Sequence, residues 1–289
     1  MSGLIGAAMT KRITIAGVAI RTIITALALG MASGVAAHSF WLEPETHASE
    51  EGERVRVAFR VGHAGEVDDW GVYWERIASL RLFGPDGVED QQRSVRVTDS
   101  GEVGGALVTI ARSGTYALSF ESNPSFSELP ADRFNAYLEN EGLAAIAAHR
   151  EATGASEDKG TELYARRAKT IVQVGDRLSG NISQPVGQIL EIVPLVNPYA
   201  LGEGRPLPLQ VLWRGQPLAG AKLVVSALDR EDEGRAYTTN VTGEVDVPNP
   251  VAEPGEPATL YTVTWGVPAR NDARADYFTI FASLTVGPR

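Results

Sequence analysis

Polar and apolar residues alternate through Arg54-Val55-Arg56-Val57-Ala58-Phe59-Arg60-Val61, which predicts a strand presenting Val55, Val57, Phe59 and Val61 to a core. Phe40-Trp41-Leu42 opens an apolar segment before it. Leu80-Arg81-Leu82-Phe83 runs into Gly84-Pro85-Asp86-Gly87, a strong turn signal. Val95 and Val97 alternate again. Leu107–Ile110 and Tyr116–Phe120 read as strands on either side of an Arg112-Ser113-Gly114 turn. Short strands at this spacing predict a β-sandwich.

The pattern changes at Pro130. From there to about residue 169, Ala, Glu, Leu and Arg dominate, and Phe134, Tyr137, Leu138 and Glu141 follow helical spacing. Gly142 interrupts, and Gly154-Ala155-Ser156 breaks the run. Glu162–Lys169 reads as a second helix with Leu163, Tyr164 and Ala168 on its buried side. Strand character resumes at Ile171–Val174. The segment 130–169 is thus expected to be a helical excursion inserted into the first sandwich.

A second set of strands is expected at Ile189–Leu195, Leu207–Trp213, Lys222–Leu228, Tyr237–Val241, Leu260–Trp265 and Phe278–Val286. Arg214-Gly215-Gln216-Pro217 and Thr242-Gly243-Glu244 are turns between them. Pro248, Pro250, Pro254 and Pro257 mark a stiff loop. The expected fold is mainly β: two tandem immunoglobulin-like or transthyretin-like β-sandwiches, 38–185 and 186–289, with the helical insertion in the first.

The start of the chain is of another kind. Lys11 and Arg12 precede an apolar stretch densest over Ile23–Met31, and small residues lead to Val35-Ala36-Ala37. This pattern predicts a signal peptide, residues 1–37, cleaved after Ala37 for export to the periplasm. Arg21 interrupts the apolar run, so no stable membrane span is expected after cleavage.

Charge and composition narrow the function classes. The formal charge is −10. Residues 1–37 hold Lys11, Arg12 and Arg21 and no acid, so the mature chain keeps 23 basic against 36 acidic residues, a charge of −13. Such a protein repels phosphate backbones, which argues against nucleic acid as a partner. There is no cysteine, which excludes thiolate metal sites, thiol catalysis and Cys-attached haem. The chain carries no nucleophile elbow, phosphate loop or dinucleotide fingerprint, so it reads as non-enzymatic.

Cleavage after Ala37 frees the α-amine of His38. That amine and the His38 Nδ1 can chelate one metal ion, and a second imidazole completes a nitrogen set suited to copper or nickel. His63, at the end of a predicted strand, is the first candidate for that imidazole. His47, in a loop with Glu43, Glu45, Glu50 and Glu51, is the alternative. Glu43, Glu66, Asp68 or Asp69 could add an oxygen. His149 reads as an exposed helix residue. In Asp68-Asp69-Trp70-Gly71-Val72-Tyr73-Trp74, the aromatics Trp70, Tyr73 and Trp74 form a candidate recognition surface.

Several stretches resemble one bacterial family, catalogued as domain of unknown function 4198. They are His38-Ser39-Phe40-Trp41-Leu42-Glu43-Pro44, the Arg133–Leu143 and Glu162–Lys169 segments, Gly187-Gln188-Ile189-Leu190-Glu191-Ile192-Val193-Pro194-Leu195-Val196-Asn197-Pro198-Tyr199, Val211–Ala221 and Ala282-Ser283-Leu284-Thr285. Members are labelled periplasmic, nickel-uptake-associated (NikM-like) proteins. The resemblance implies export, an immunoglobulin-like or transthyretin-like architecture, and handling of nickel, cobalt or copper beside a membrane metal transporter, with His38 carried over. The alternatives are an interaction module binding a protein or glycan, and a terminal-His copper oxidase.

Overall fold

The computed structural model describes residues 39–289 apart from 64–65, 72, 98–100, 102, 203, 250–256 and 271. The first part of the chain runs β1 (Ser39–Pro44), β2 (Ala48–Ser49), β3 (Arg54–His63), β4 (Glu66–Asp69), β5 (Ile77–Gly84), β6 (Gly87–Asp90), β7 (Val95–Val97), β8 (Val103–Thr109), β9 (Gly114–Ser122) and β10 (Ser125–Leu129). Two helices, α1 (Ala131–Glu141) and α2 (Ala144–Thr153), lead to a long strand, β11 (Gly160–Val174). Then come β12 (Leu190–Pro194), β13 (Leu207–Trp213), β14 (Gln216–Pro217), β15 (Lys222–Ala227), β16 (Arg230–Thr238), β17 (Glu244–Val247), β18 (Thr259–Pro268) and β19 (Tyr277–Val286). Among the described residues no helix is long and apolar enough to cross a membrane.

The strands form three sheets. The first has the order β1-β3-β8-β7 with β4 on β3, and the third has β12-β13-β14 with β17 on β13. The central sheet runs β16-β15-β18-β19-β11-β9-β5-β6, with β10 and β2 also on β11. Each outer sheet closes a sandwich against a different face of it. In β9, Tyr116, Leu118 and Phe120 enter the core under the first sheet, whereas Ala117 enters the core under the third. In β11, Ala168, Val172 and Val174 face the first sheet and Ala165 and Ile171 face the third. Successive side chains of a strand point to opposite faces, so β9 and β11 serve both cores at once.

Because those strands are shared, the described chain from Ser39 onward is one compact unit. The boundary expected at 185/186 separates the strands of the two outer sheets, but the central sheet crosses it, because β11 pairs in parallel with β19. The expected second helix is also corrected. Glu162–Lys169 is not a helix but part of β11, and the helical excursion ends with α2. Strands buried on both faces lose the simple alternation of a half-buried strand. Ala, Leu and Arg at 163–168 then read locally as helix formers, and pairing with β10 and β19 overrides that preference.

The helices match the expected pattern where it was strongest. Pro130 precedes α1, and Gly142 ends it in the left-handed conformation (φ 74°), where a side chain would be strained. Phe134, Tyr137 and Leu138 pack with Ile146 on Tyr277 and Phe281 of β19. Ile280, Ala282 and Leu284 of that strand face the other core.

Candidate functional site

The predicted ligands fall at very different places. His38 lies outside the described residues. Ser39, its neighbour, pairs with Gly62 in the β1–β3 ladder. His63 is the last residue of β3, paired with Glu66 of β4, and both are described by their backbone alone. Among the described residues no group of three or more His, Asp or Glu is placed to hold a metal ion.

His47 is in the core rather than in a solvated loop. Its side chain is 6% exposed, and its Nδ1–H donates to the Ile171 carbonyl at 2.8 Å. Burial pushes its pKa down to about 4, against the modest upward pull of that hydrogen bond. The Tyr199 hydroxyl points between the His47 and Ile171 carbonyls, 3.3 and 3.4 Å away. The four nearby acids made the segment look exposed. The pairing of β2 with β11 folds it inward instead.

Two of the four carboxylates considered as oxygen donors are committed to Arg60. Glu43 lies 3.3 Å from its Nε and also accepts the Trp41 indole N–H at 3.1 Å. Asp69 accepts from Arg60 Nη1 at 2.6 Å. Asp68 is exposed.

The aromatic loop divides in two. Trp70 is 7% exposed and packs edge-on against Phe40 and Phe120 at 4.9 and 5.4 Å between centroids. It is a core residue. Tyr73 and Trp74 are 66% and 42% exposed. His149 is exposed, with its ring edge-on to Tyr277. Its neighbour Arg150 is buried, held by Asn135 and the Ser156 and Asp158 carbonyls and lying over the Phe134 ring.

Sequence reasoning missed the most buried charges. Lys169 of β11 and Glu191 of β12 form an ion pair at 2.7 Å with side chains 3% and 1% exposed. Glu191 also accepts the backbone N–H groups of Val186, Gly187 and Gln188 at 2.7, 3.0 and 3.1 Å. Gln188 donates to Ser119 Oγ and to the Phe120 and Ala168 carbonyls. The Gly187–Glu191 motif therefore acts structurally, fastening the crossing between the sandwiches to the central sheet. A second buried cluster lies under α1. Tyr137 donates to Glu162 at 3.1 Å and Thr264 to Glu141 at 2.6 Å, and burial raises the pKa of both carboxyls. A lone Glu within an apolar run was the available signal for Glu191, whereas Glu141 and Glu162 stand among other polar residues that hide them.

Residues 35–254 match the family model described as Domain of unknown function (DUF4198). No curated protein sequence matches the chain. Among solved structures, the D0-D1 domain of intimin is similar at 10% identity and a TM-score of 0.20, over 86% of this chain and 97% of that one. Dimeric latent PorU from Porphyromonas gingivalis is similar at 12% identity and a TM-score of 0.20, over 84% of this chain and 20% of that one. The titin Ig tandem domains A164-A165 are similar at 8% identity and a TM-score of 0.18, over 88% of this chain and all (100%) of that one.

Proposed function

The chain belongs to the DUF4198 family, and from that premise we propose that it is an exported, periplasmic protein binding nickel, cobalt or copper at the rim of its first sandwich, as an accessory to a membrane metal transporter. The observation that carries this reading is a register. Ser39 and Gly62 are paired, so His38 and His63 are the next residues outward on the two chain segments, and His63 is itself paired with Glu66. One amine, two imidazoles and a carboxylate form a donor set suited to these metals. The acidic charge of the chain favours cations at its surface.

Mass spectrometry of the exported protein, followed by calorimetric titration with nickel and copper, tests the reading. The mature chain should begin at His38. One extra residue ahead of His38, or His63→Ala, should each weaken binding by about tenfold or more. Equal binding by the wild type and both variants would sink the proposal.

A second reading rests on Tyr73 and Trp74. Two exposed aromatics beside the short 3₁₀ turn Trp74–Arg76 suit an interaction surface for a protein or glycan.

A further inference from the structure

Four apolar residues stand side by side across four neighbouring strands of the central sheet. Phe126 of β10 pairs with Leu163 of β11, Leu163 with Phe278 of β19, and Phe278 with Val267 of β18. Paired residues share a face, so the four make one row. Its three inter-strand steps of about 4.8 Å give it a length of about 14 Å. Further along the same face Ala165, Ile280 and Val263 are buried under the third sheet. At the row the covering is incomplete: Phe278 and Val267 are half-buried and Phe126 is 54% exposed. A cleft of about 590 Å³ opens here, walled by Leu163, Val267, Pro268 and Phe278 and by two arginines, Arg214 and Arg270.

The arginines are unusual in two ways. Among the described residues neither guanidinium forms an ion pair. Asp272, which also lines the cleft, is held by Arg274 at 2.7 Å. Arg214 is also the one non-glycine among the described residues with a left-handed backbone, at φ 52°. It and Gly215 (φ 73°) form the two-residue turn from β13 to β14. Such a turn favours Asn or Gly at the first position, so an arginine is strained there. Its guanidinium lies 5.3 Å from the centroid of the Trp213 ring, a contact that limits its freedom beside the cleft.

We propose that this cleft binds an amphiphilic anion, with a carboxylate between Arg214 and Arg270 and an alkyl body along the apolar row. The planar fork of a guanidinium matches a carboxylate with two parallel hydrogen bonds. In a chain of net charge −10, two guanidiniums that form no ion pair among the described residues and stand beside an apolar row focus its attraction for anions at that place.

Calorimetric titration of the metal-free protein with sodium decanoate below its micelle concentration tests the inference. Decanoate should saturate one site per chain, and decanol and acetate should each bind at least about tenfold more weakly. Arg214→Gly and Arg270→Ala should each weaken decanoate by about tenfold or more. Glycine relaxes the left-handed strain, so an Arg214→Gly variant that melts no lower than wild type separates lost binding from lost folding. Decanol binding as tightly as decanoate, or unchanged affinity in both variants, overturns the proposal. So does binding to phosphatidylglycerol vesicles without binding to monomeric decanoate. No metal enters this test, so its failure leaves the rim site untouched.

Discussion

Lys169 Nζ and Glu191 Oε1 meet at 2.7 Å in a place almost wholly withdrawn from water. One partner belongs to the central sheet and the other to the edge strand of the third. Burial lowers the Lys169 pKa, and the Glu191 carboxylate opposes that shift. Removing one partner strands the other as an uncompensated buried charge. Lys169→Met should therefore cost about 3–5 kcal/mol. Glu191→Leu should cost at least as much, since it also deprives three backbone N–H groups of their acceptor. Urea unfolding midpoints check both; a loss under about 1 kcal/mol for either would show the pair to be incidental.

His47 makes stability depend on pH with a definite sign. Its folded pKa is about 4, against 6.5 for an unperturbed histidine. Between those values the unfolded chain binds the extra proton, so stability rises with pH across the window. The contribution is full above pH 6.5 and lost as pH falls towards 4; it amounts to about 3 kcal/mol. Glu141 and Glu162 act in the opposite sense, because their raised pKa values make stability fall as pH rises through them. Comparing melting curves of wild type and His47→Gln at about pH 4.5 and about pH 7 isolates the histidine. The wild type should lose more stability than the variant on acidification, and parallel losses would refute the assignment.

Gly287 lies against the His47 ring, and a Cβ there has no room. Gly287→Ala should destabilise the protein by about 1–3 kcal/mol through overpacking. A thermal midpoint equal to wild type would mean that the ring moves freely aside.

The aromatic loop offers a direct comparison. Trp70→Ala empties a core position and should cost about 3–5 kcal/mol. Trp74→Ala, at an exposed position, should stay within about 0.5 kcal/mol. If the Tyr73–Trp74 surface meets a partner, the Trp74 change should appear in binding assays alone. Equal stability losses would place both tryptophans in the core.

What the sequence determined by itself was local. Period-two alternation in β3, the Gly-rich turns, Pro130 before α1 and Gly142 after it depend on short-range backbone and side-chain preferences, and each is found as read. The mainly β sandwich character follows from such signals. Tertiary structure decided whatever depends on partners far along the chain. The helix-former run at 162–169 became a strand because β19, more than a hundred residues later, pairs with it. His47 left its acidic loop for the core because β2 lies on β11. Trp70 and Trp74, four residues apart in one motif, were sent to opposite environments by the packing of Phe40 and Phe120. Glu191 looked like an interruption in an apolar strand, and only the fold supplied the Lys169 ammonium and three N–H groups that make its burial tolerable. Local pattern reports what a segment can form; which face is buried, and against what charge, is set by contacts the pattern does not contain.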